Sequence, residues 1–415
     1  MMDLLCDNLV EAILYRVPAK YLPRVRAVAR RYNLIVLSAG FDDRYWKAYS
    51  ANLSGVFIQS DHPWRQRSRF LDASTRPSET ESMFAADLAF LPRPCPGPAA
   101  RSREIFIMHA TAGLVLCSRG KSMASQYYVC NPVTLQWVAL PKLPWVPPAN
   151  LSGLLSLTNT EAGDGSSSSI RCFQVVLFKL LRFPCQFPGR FMDLMVFSSA
   201  TGQWKILRFQ HPMPIIVETH APPFLGQSGT AYWIAYSPMN RVIAYNSLHH
   251  TIKFLAVPIR VHGTTRTLNR CIGERQGGGL RYAHFDCSVL KVWDLQAGGV
   301  DGTDAGAKWE LAHQVDVMEL AQRNPEATDI VTKQKYVECR IRANTLFSLL
   351  GFHPTADIIF LDVNGTVLAY SIEHGTTRYQ CSHNYLHHNM FPYVHPAHPV
   401  EIPAIKKAPL DLKPS

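Results

Sequence analysis

The side chains most suited to binding a metal crowd near the C-terminus, where Cys381, His383, His387, His388, His395 and His398 follow one another closely. Structural zinc needs four nitrogen or sulfur ligands at short, paired spacings, and these spacings match no common zinc site, with prolines between the later histidines. The reading is exposed tail histidines, with no metal and no cofactor expected. Nucleophile and phosphate motifs are equally wanting: there is no G-x-S-x-G elbow, no P-loop, no G-x-G-x-x-G and no H-E-x-x-H. Gln276-Gly277-Gly278-Gly279 has neither the spacing nor the following helix of a phosphate loop. The sequence therefore points away from catalysis and towards binding.

Composition narrows the partners. Hydrophobic residues make up 47% and charged residues 18% of 415, which is globular and leaves ample material for a core. The net charge of +11 would suit an acidic partner, but the basic residues are spread out, with one modest cluster at Arg65, Arg67 and Arg69. No nucleic-acid motif accompanies them, so nucleic acid is not an expected partner. No apolar run reaches the roughly 18 to 20 residues of a membrane span. Asp3, Asp7 and Glu11 stand where a secretion signal would be basic and then apolar. Ten cysteines without a CxxC pair, most of them in apolar runs such as "LVLCS" and "YYVCN", read as small core residues in a reducing compartment. The expected location is cytoplasm or nucleus.

The elements that would carry a binding surface are strands. "YYVCNPVTLQWVALP" (127–141), "LMVFSSATGQWKILRF" (194–209) and "RVIAYNSLHHTIKFLAVP" (241–258) each place a turn between two apolar runs. The separations Cys130 to Trp137, Phe197 to Trp204 and Tyr245 to Ile252 are all 7, so the three share a register. Looser copies follow at "LKVWDLQ" with "KWELAHQ" and at "TVLAYSIEHGTTRYQC". Copies recur about every 50 to 70 residues, the spacing of β-propeller blades with insertions. A single four-stranded blade cannot cover both of its apolar faces, whereas blades in a ring cover one another. Trp137, Trp204 and Trp309 are read as wedges between blades. A sixth blade is expected from "SGVFIQS" near residue 55, "DLAFLP" near residue 90 and a C-terminal strand.

Ahead of the strands lies a helical stretch, "LVEAILYRVPAKYLPRVRAV". Leu9, Ile13 and Val17 recur every four residues, widened by Val10 and Leu14. After Pro18 a second helix is expected to align Leu22, Val25, Ala29 and Tyr32, with Pro23 in its first turn, where its missing N–H is harmless. A third short helix is expected over Leu34 to Leu37. About forty residues in three short helices bury too little to stand alone, so the stripe needs a partner.

These residues carry a resemblance. "LCDNLVEAILYRVPAKYLPRVRAVARRYNLIVLSAGF" (5–41) resembles the F-box of plant F-box proteins, with Glu11, Ile13, Leu14, Arg16, Pro18, Ala19, Lys20, Leu22, Arg24, Val28, Leu34, Ile35 and Phe41 in place. Cys6 stands where that motif has an early proline, and Arg30-Arg31-Tyr32 where it has Lys-Ser-Trp. "GLVLCS", "YYVCNPVTLQWVALP", "RYAHFDCSVLKVWDL" and "FSLLGFHPTADIIFLDVNGTVLAY" are similar to the β domain that follows the F-box in grass members of the family.

The resemblance implies a mainly β chain: a three-helix F-box over residues 1–48, then a kelch-like β-propeller of about six blades over 49–415. It further implies a non-catalytic substrate receptor of an Skp-cullin-F-box ubiquitin ligase. Leu5, Leu9, Ile13, Leu14, Val17, Pro18, Leu22 and Val25 would dock on the Skp adaptor, and through it a cullin, while the β domain holds an unidentified protein substrate. The alternatives are a scaffold whose F-box no longer recruits a ligase, and a helical stripe that folds back on the propeller.

Overall fold

In the computed structural model the described residues are 5–17, 21–42, 44–45, 54–60, 68–72, 88–92, 105–119, 126–143, 153–158, 172–178, 186–187, 191–211, 215–217, 223–226, 228–236, 241–259, 269–275, 278–286, 289–296, 308–324, 347–354, 356–363, 365–382, 388–394, 402 and 405. Three helices, α1 (Asp7–Leu14), α2 (Leu22–Val28) and α3 (Arg30–Val36), precede six antiparallel sheets, and α4 (Val317–Arg323) lies between two of them.

Each sheet is a blade. Blade one takes Ile105–Thr111, Leu114–Arg119, Gln126–Asn131 and Gln136–Ala139 from the inside out. Blade two takes Gly153–Thr158, Cys172–Phe178, Phe191–Ser198 and Gln203–Gln210. In blade three Ile215–Val217 and Phe224–Leu225 share one edge of Thr230–Tyr236 as a broken inner strand, and Arg241–Asn246 and Thr251–Ala256 follow. Blade four is Arg270–Glu274, Leu280–Asp286, Val289–Leu295 and Trp309–Asp316, and blade five is Phe347–Phe352, Ile358–Val363, Thr366–Ser371 and Thr376–Ser382. Blade six joins the two ends of the chain, with the inner strand His388–Val394 pairing Ser54–Ser60, which pairs Ser68–Asp72.

Burial on both faces explains why these strands read as nearly unbroken apolar runs. In blade two Val175 and Leu177 face blade one, in a cluster with Leu114, Leu116 and Val129. Their neighbours Val176 and Phe178 face blade three, with Trp233, Ile243 and Tyr245. Side chains alternate across a strand, so one sequence fills two interfaces. Six such clusters, one at each junction, complete the ring.

The shared seven-residue separation is a hairpin register. Cys130 stands opposite Trp137, Phe197 opposite Trp204, Tyr245 opposite Ile252, and Tyr370 opposite Thr377 in blade five. In blades one and three an asparagine closes the turn: the Oδ1 of Asn131 accepts the N–H of Val133 at 2.9 Å, and that of Asn246 accepts the N–H of Leu248 at 2.9 Å. All four turns end on a residue in the left-handed region, Leu135, Gly202, His250 or Gly375.

The seam between blades six and one is held by more than packing. The Gln59 amide donates to the Ile105 carbonyl at 3.1 Å and accepts the Ile107 N–H at 3.0 Å, bridging two blades as a strand would. Phe57, Phe70 and Tyr393 meet edge to face beside it. The same apolar cluster takes in Val10, Leu14, Tyr32, Ile35, Val36, Phe41 and Tyr45, so the helical head is continuous with this seam. Val133, at the tip of the blade-one hairpin, is fully buried in that cluster, while Leu248 at the same position of blade three is 64% exposed.

Three expectations need correction. "DLAFLP" contributes no strand: residues 88–92 form a turn with Leu88 at φ 53°, and Leu88 and Leu91 plug the seam cluster. The second helix does not run on to Tyr32, because Ala29 is extended (φ −149°, ψ 140°) and α3 starts at Arg30. That break turns Tyr32, Ile35 and Val36 inward together. Trp204 and Trp309 do pack between blades, but Trp137 is 43% exposed.

Two outcomes follow. A Cβ on Gly273 would stand 2.6 Å from the Phe352 ring of the next blade. Gly273→Ala should cost about 1–3 kcal/mol in chemical denaturation, and Phe352→Leu in the same chain should recover part of it. His109 is buried in blade one, and burial pushes its pKa down to about 3. The unfolded chain takes up that proton near pH 6.5, so this contribution is intact above about pH 6.5 and lost progressively as the pH falls towards 3. His109→Gln should flatten the acid limb of a stability–pH curve between those limits.

Candidate docking face

The head is built so that its helices show apolar side chains on two sides. In α1 Val10 and Leu14 are buried, while Leu9 (54% exposed) and Ile13 (37%), one position earlier in each turn, point outward. Around α2 and α3 the exposed set is Tyr21, Val28, Leu34 and Leu37, with Val28 the most open at 75%. A helix that buries one stripe and exposes a second has its packing partner inside the fold and leaves the second stripe in water.

Polar ties hold this face rigid. The Arg44 guanidinium donates to Glu11 at 2.6 Å and to the Tyr15 hydroxyl at 2.7 Å, and Tyr15 in turn donates to Glu11. Hydrogen bonds from Tyr15 and Arg44 hold the Glu11 carboxyl below the ordinary carboxylate range. Arg31 ties α3 to Asp7 at 2.8 Å and to the Leu5 carbonyl, and Tyr45 donates to the Val17 carbonyl at 2.7 Å. Arg16, Arg24 and Arg30 are exposed and make no ion pair among the described residues. The head therefore exposes both apolar and basic side chains.

The residues singled out from the sequence divide. Leu9 and Ile13 lie on the open face; Leu14 is 3% exposed and holds α1 to the core. Leu5, Val17, Leu22 and Val25 are half-buried against the seam cluster, and Pro18 lies outside the described residues. A continuous second helix would align Leu22, Val25, Ala29 and Tyr32; the break at Ala29 separates Tyr32 from the others. Val28, Leu34 and Leu37 were missed as face residues. Their i, i+3 spacing from Leu34 to Leu37 was the signal, hidden because α3 starts four residues earlier than expected.

Among the described residues no group of three or more histidine, cysteine or acidic side chains could hold a metal. The histidine-rich C-terminal run lies outside the described side chains, although the backbone of Cys381 and of His388 belongs to strands. Cys117, Cys130, Cys172 and Cys271 are buried and form no disulfide. Burial raises the Cys130 thiol well above its ordinary range.

Residues 91–332 match the family described as F-box protein At3g26010-like, beta-propeller. Two Arabidopsis thaliana proteins are similar along nearly the full chain. F-box protein At5g03970 is 22% identical over 89% of this chain and 80% of its own. F-box protein At5g07610 is 22% identical over 90% of this chain and 85% of its own. Among solved structures, a Dos1 propeller covers 69% of this chain and 62% of its own, at 11% identity and a TM-score of 0.35. The match over residues 91–332 spans more than half of the molecule, and the chain belongs to the F-box At3g26010-like β-propeller family.

Proposed function

We propose that this chain is the substrate-recognition subunit of an Skp-cullin-F-box ubiquitin ligase, docking on an Skp-type adaptor through its helical head and holding a protein substrate on its propeller. The observation that carries the reading is the exposure of Leu9, Ile13, Val28, Leu34 and Leu37 on the helical head, together with exposed Arg16, Arg24 and Arg30, on a chain whose relatives are named F-box proteins. Such a face is unfavourable in water and suits a partner with an apolar groove and acidic borders.

In this reading the chain carries out no bond chemistry of its own. It raises the effective concentration of substrate lysines near the conjugating enzyme that the cullin arm brings. The continuity of the head with the blade six–one seam serves that role, because a substrate on the propeller is then held at a fixed distance from the adaptor. The reading also places the chain in the cytoplasm or nucleus, where those ligase subunits work.

One observation favours the scaffold alternative. The head's inner stripe caps Val133 and the seam, so it has a structural use even without an adaptor. The two readings separate in a binding experiment with intact chain and a plant Skp adaptor. Ile13 is exposed enough for Ile13→Asp to leave the fold intact while burying an unpaired charge in the complex. Adaptor affinity should fall by about a hundredfold or more, the equivalent of about 2.7 kcal/mol, with an unchanged melting temperature. Leu14→Ala should instead lower the melting temperature, at a cost of about 2–5 kcal/mol. No adaptor binding by the wild-type chain would hand the argument to the scaffold reading.

A further inference from the structure

The helical head shares its core with the ring. From Val10 in α1 to Tyr45 beyond α3, its buried apolar side chains all belong to the seam cluster, and none of the other five clusters takes in a residue of the head. The same cluster contains Phe391 and Tyr393, which lie on His388–Val394, the strand that closes the ring.

Those two residues are central to the seam. Phe391 stands opposite Phe57, and Tyr393 is fully buried, its ring meeting Phe57 at 5.3 Å and Phe70 at 5.8 Å edge to face. The Tyr393 hydroxyl donates to the Gly113 carbonyl at 3.3 Å, in the turn between the first two strands of blade one. One strand therefore ties together both blades that carry the head.

Polar ties inside the head do not replace this support. The Arg44–Glu11 and Arg31–Asp7 pairs bind the helices to one another, but Arg44 is 56% exposed and Asp7 72%, and pairs so open to water contribute little. Three short helices of about forty residues depend on apolar burial outside themselves.

We propose that the open face of the head is a readout of ring closure, so that the chain is loaded onto an adaptor only when His388–Val394 has sealed blade six. The proposal rests on the receptor reading for the identity of what docks. With the last strand unpaired, the cluster loses Phe391 and Tyr393, water reaches the contacts under α1 and α3, and the helices loosen. Leu9 and Ile13 then have no fixed spacing. The adaptor sees only the closed fraction, and its apparent affinity falls with that fraction. An unfinished or opened propeller is thereby kept off the ligase.

Amide hydrogen exchange on the intact chain tests the coupling. Phe391→Leu should speed exchange over Ser54–Ser60 and His388–Val394 about tenfold, and speed α1 and α3 by a like factor, because head and seam open together. Should that variant fail to fold, Tyr393→Phe removes one hydrogen bond, keeps the ring, and should give the same pattern at a smaller factor. In reverse, Leu14→Ala in α1 should speed exchange over His388–Val394. Head amides that keep their wild-type rates while those of the seam rise, or seam amides indifferent to Leu14→Ala, would overturn the proposal. A plant Skp adaptor at about a hundred times its Kd should also slow exchange along this inner strand about a hundredfold. Slowing confined to the helices would overturn the proposal as well. A wild-type chain that binds no adaptor would defeat the receptor reading, and the exchange rates of the free chain would still decide whether head and ring are coupled.

Discussion

Every blade of this protein is apolar on both faces, and that constraint governs the rest. A sheet with Val175 and Leu177 on one side and Val176 and Phe178 on the other cannot end against water, so each blade requires a neighbour and the last requires the first. Closure becomes a condition of burial. The blades also fix one another's shape: Gly273 lets an inner strand approach Phe352 too closely for any side chain. Between blades four and five a buried charge is escorted. Arg281, nearly buried between blades four and five, is gripped by Asp294 at 2.7 Å and by Asp357 from the next blade, an arrangement in which losing one partner costs far more than the pair contributes.

The helical head obeys the same rule and breaks it on one side. Its inner stripe finishes the seam where the chain's two ends meet, and its outer stripe is left open. Burial and exposure thus use adjacent positions of one helix, Val10 and Leu14 for the first and Leu9 and Ile13 for the second. Substitutions one residue apart should have unlike effects.

Much of the fold could be read from the sequence because it rests on local, repeated signals. The seven-residue separation is a hairpin register, so Cys130–Trp137 and its counterparts announce paired strands. The sixth blade was harder, because Phe57 and Phe391 lie 334 positions apart (391 − 57) and no spacing rule links them. The head was legible as amphipathic, yet its face was not. Periodicity says that a stripe exists, while which stripe points outward depends on the Ala29 break and on a seam contributed by distant strands. Trp137 was misread for a related reason: it occupies the same hairpin position as Trp204, and nothing in that local register reveals its 43% exposure.

Closure by Ser54–Ser60 against His388–Val394 also sets an order of events during synthesis. The strand that needs its partner leaves the ribosome among the first residues of the β domain, and the partner leaves among the last. Until then blade six lacks its inner strand, and Val56, Phe57 and Ile58 have only Ser68–Asp72 beside them. The nascent chain must therefore carry an open apolar edge through most of its translation, which makes it a natural client for holding chaperones. A stop codon placed between residues 352 and 388 would release a chain that has every blade begun and no ring.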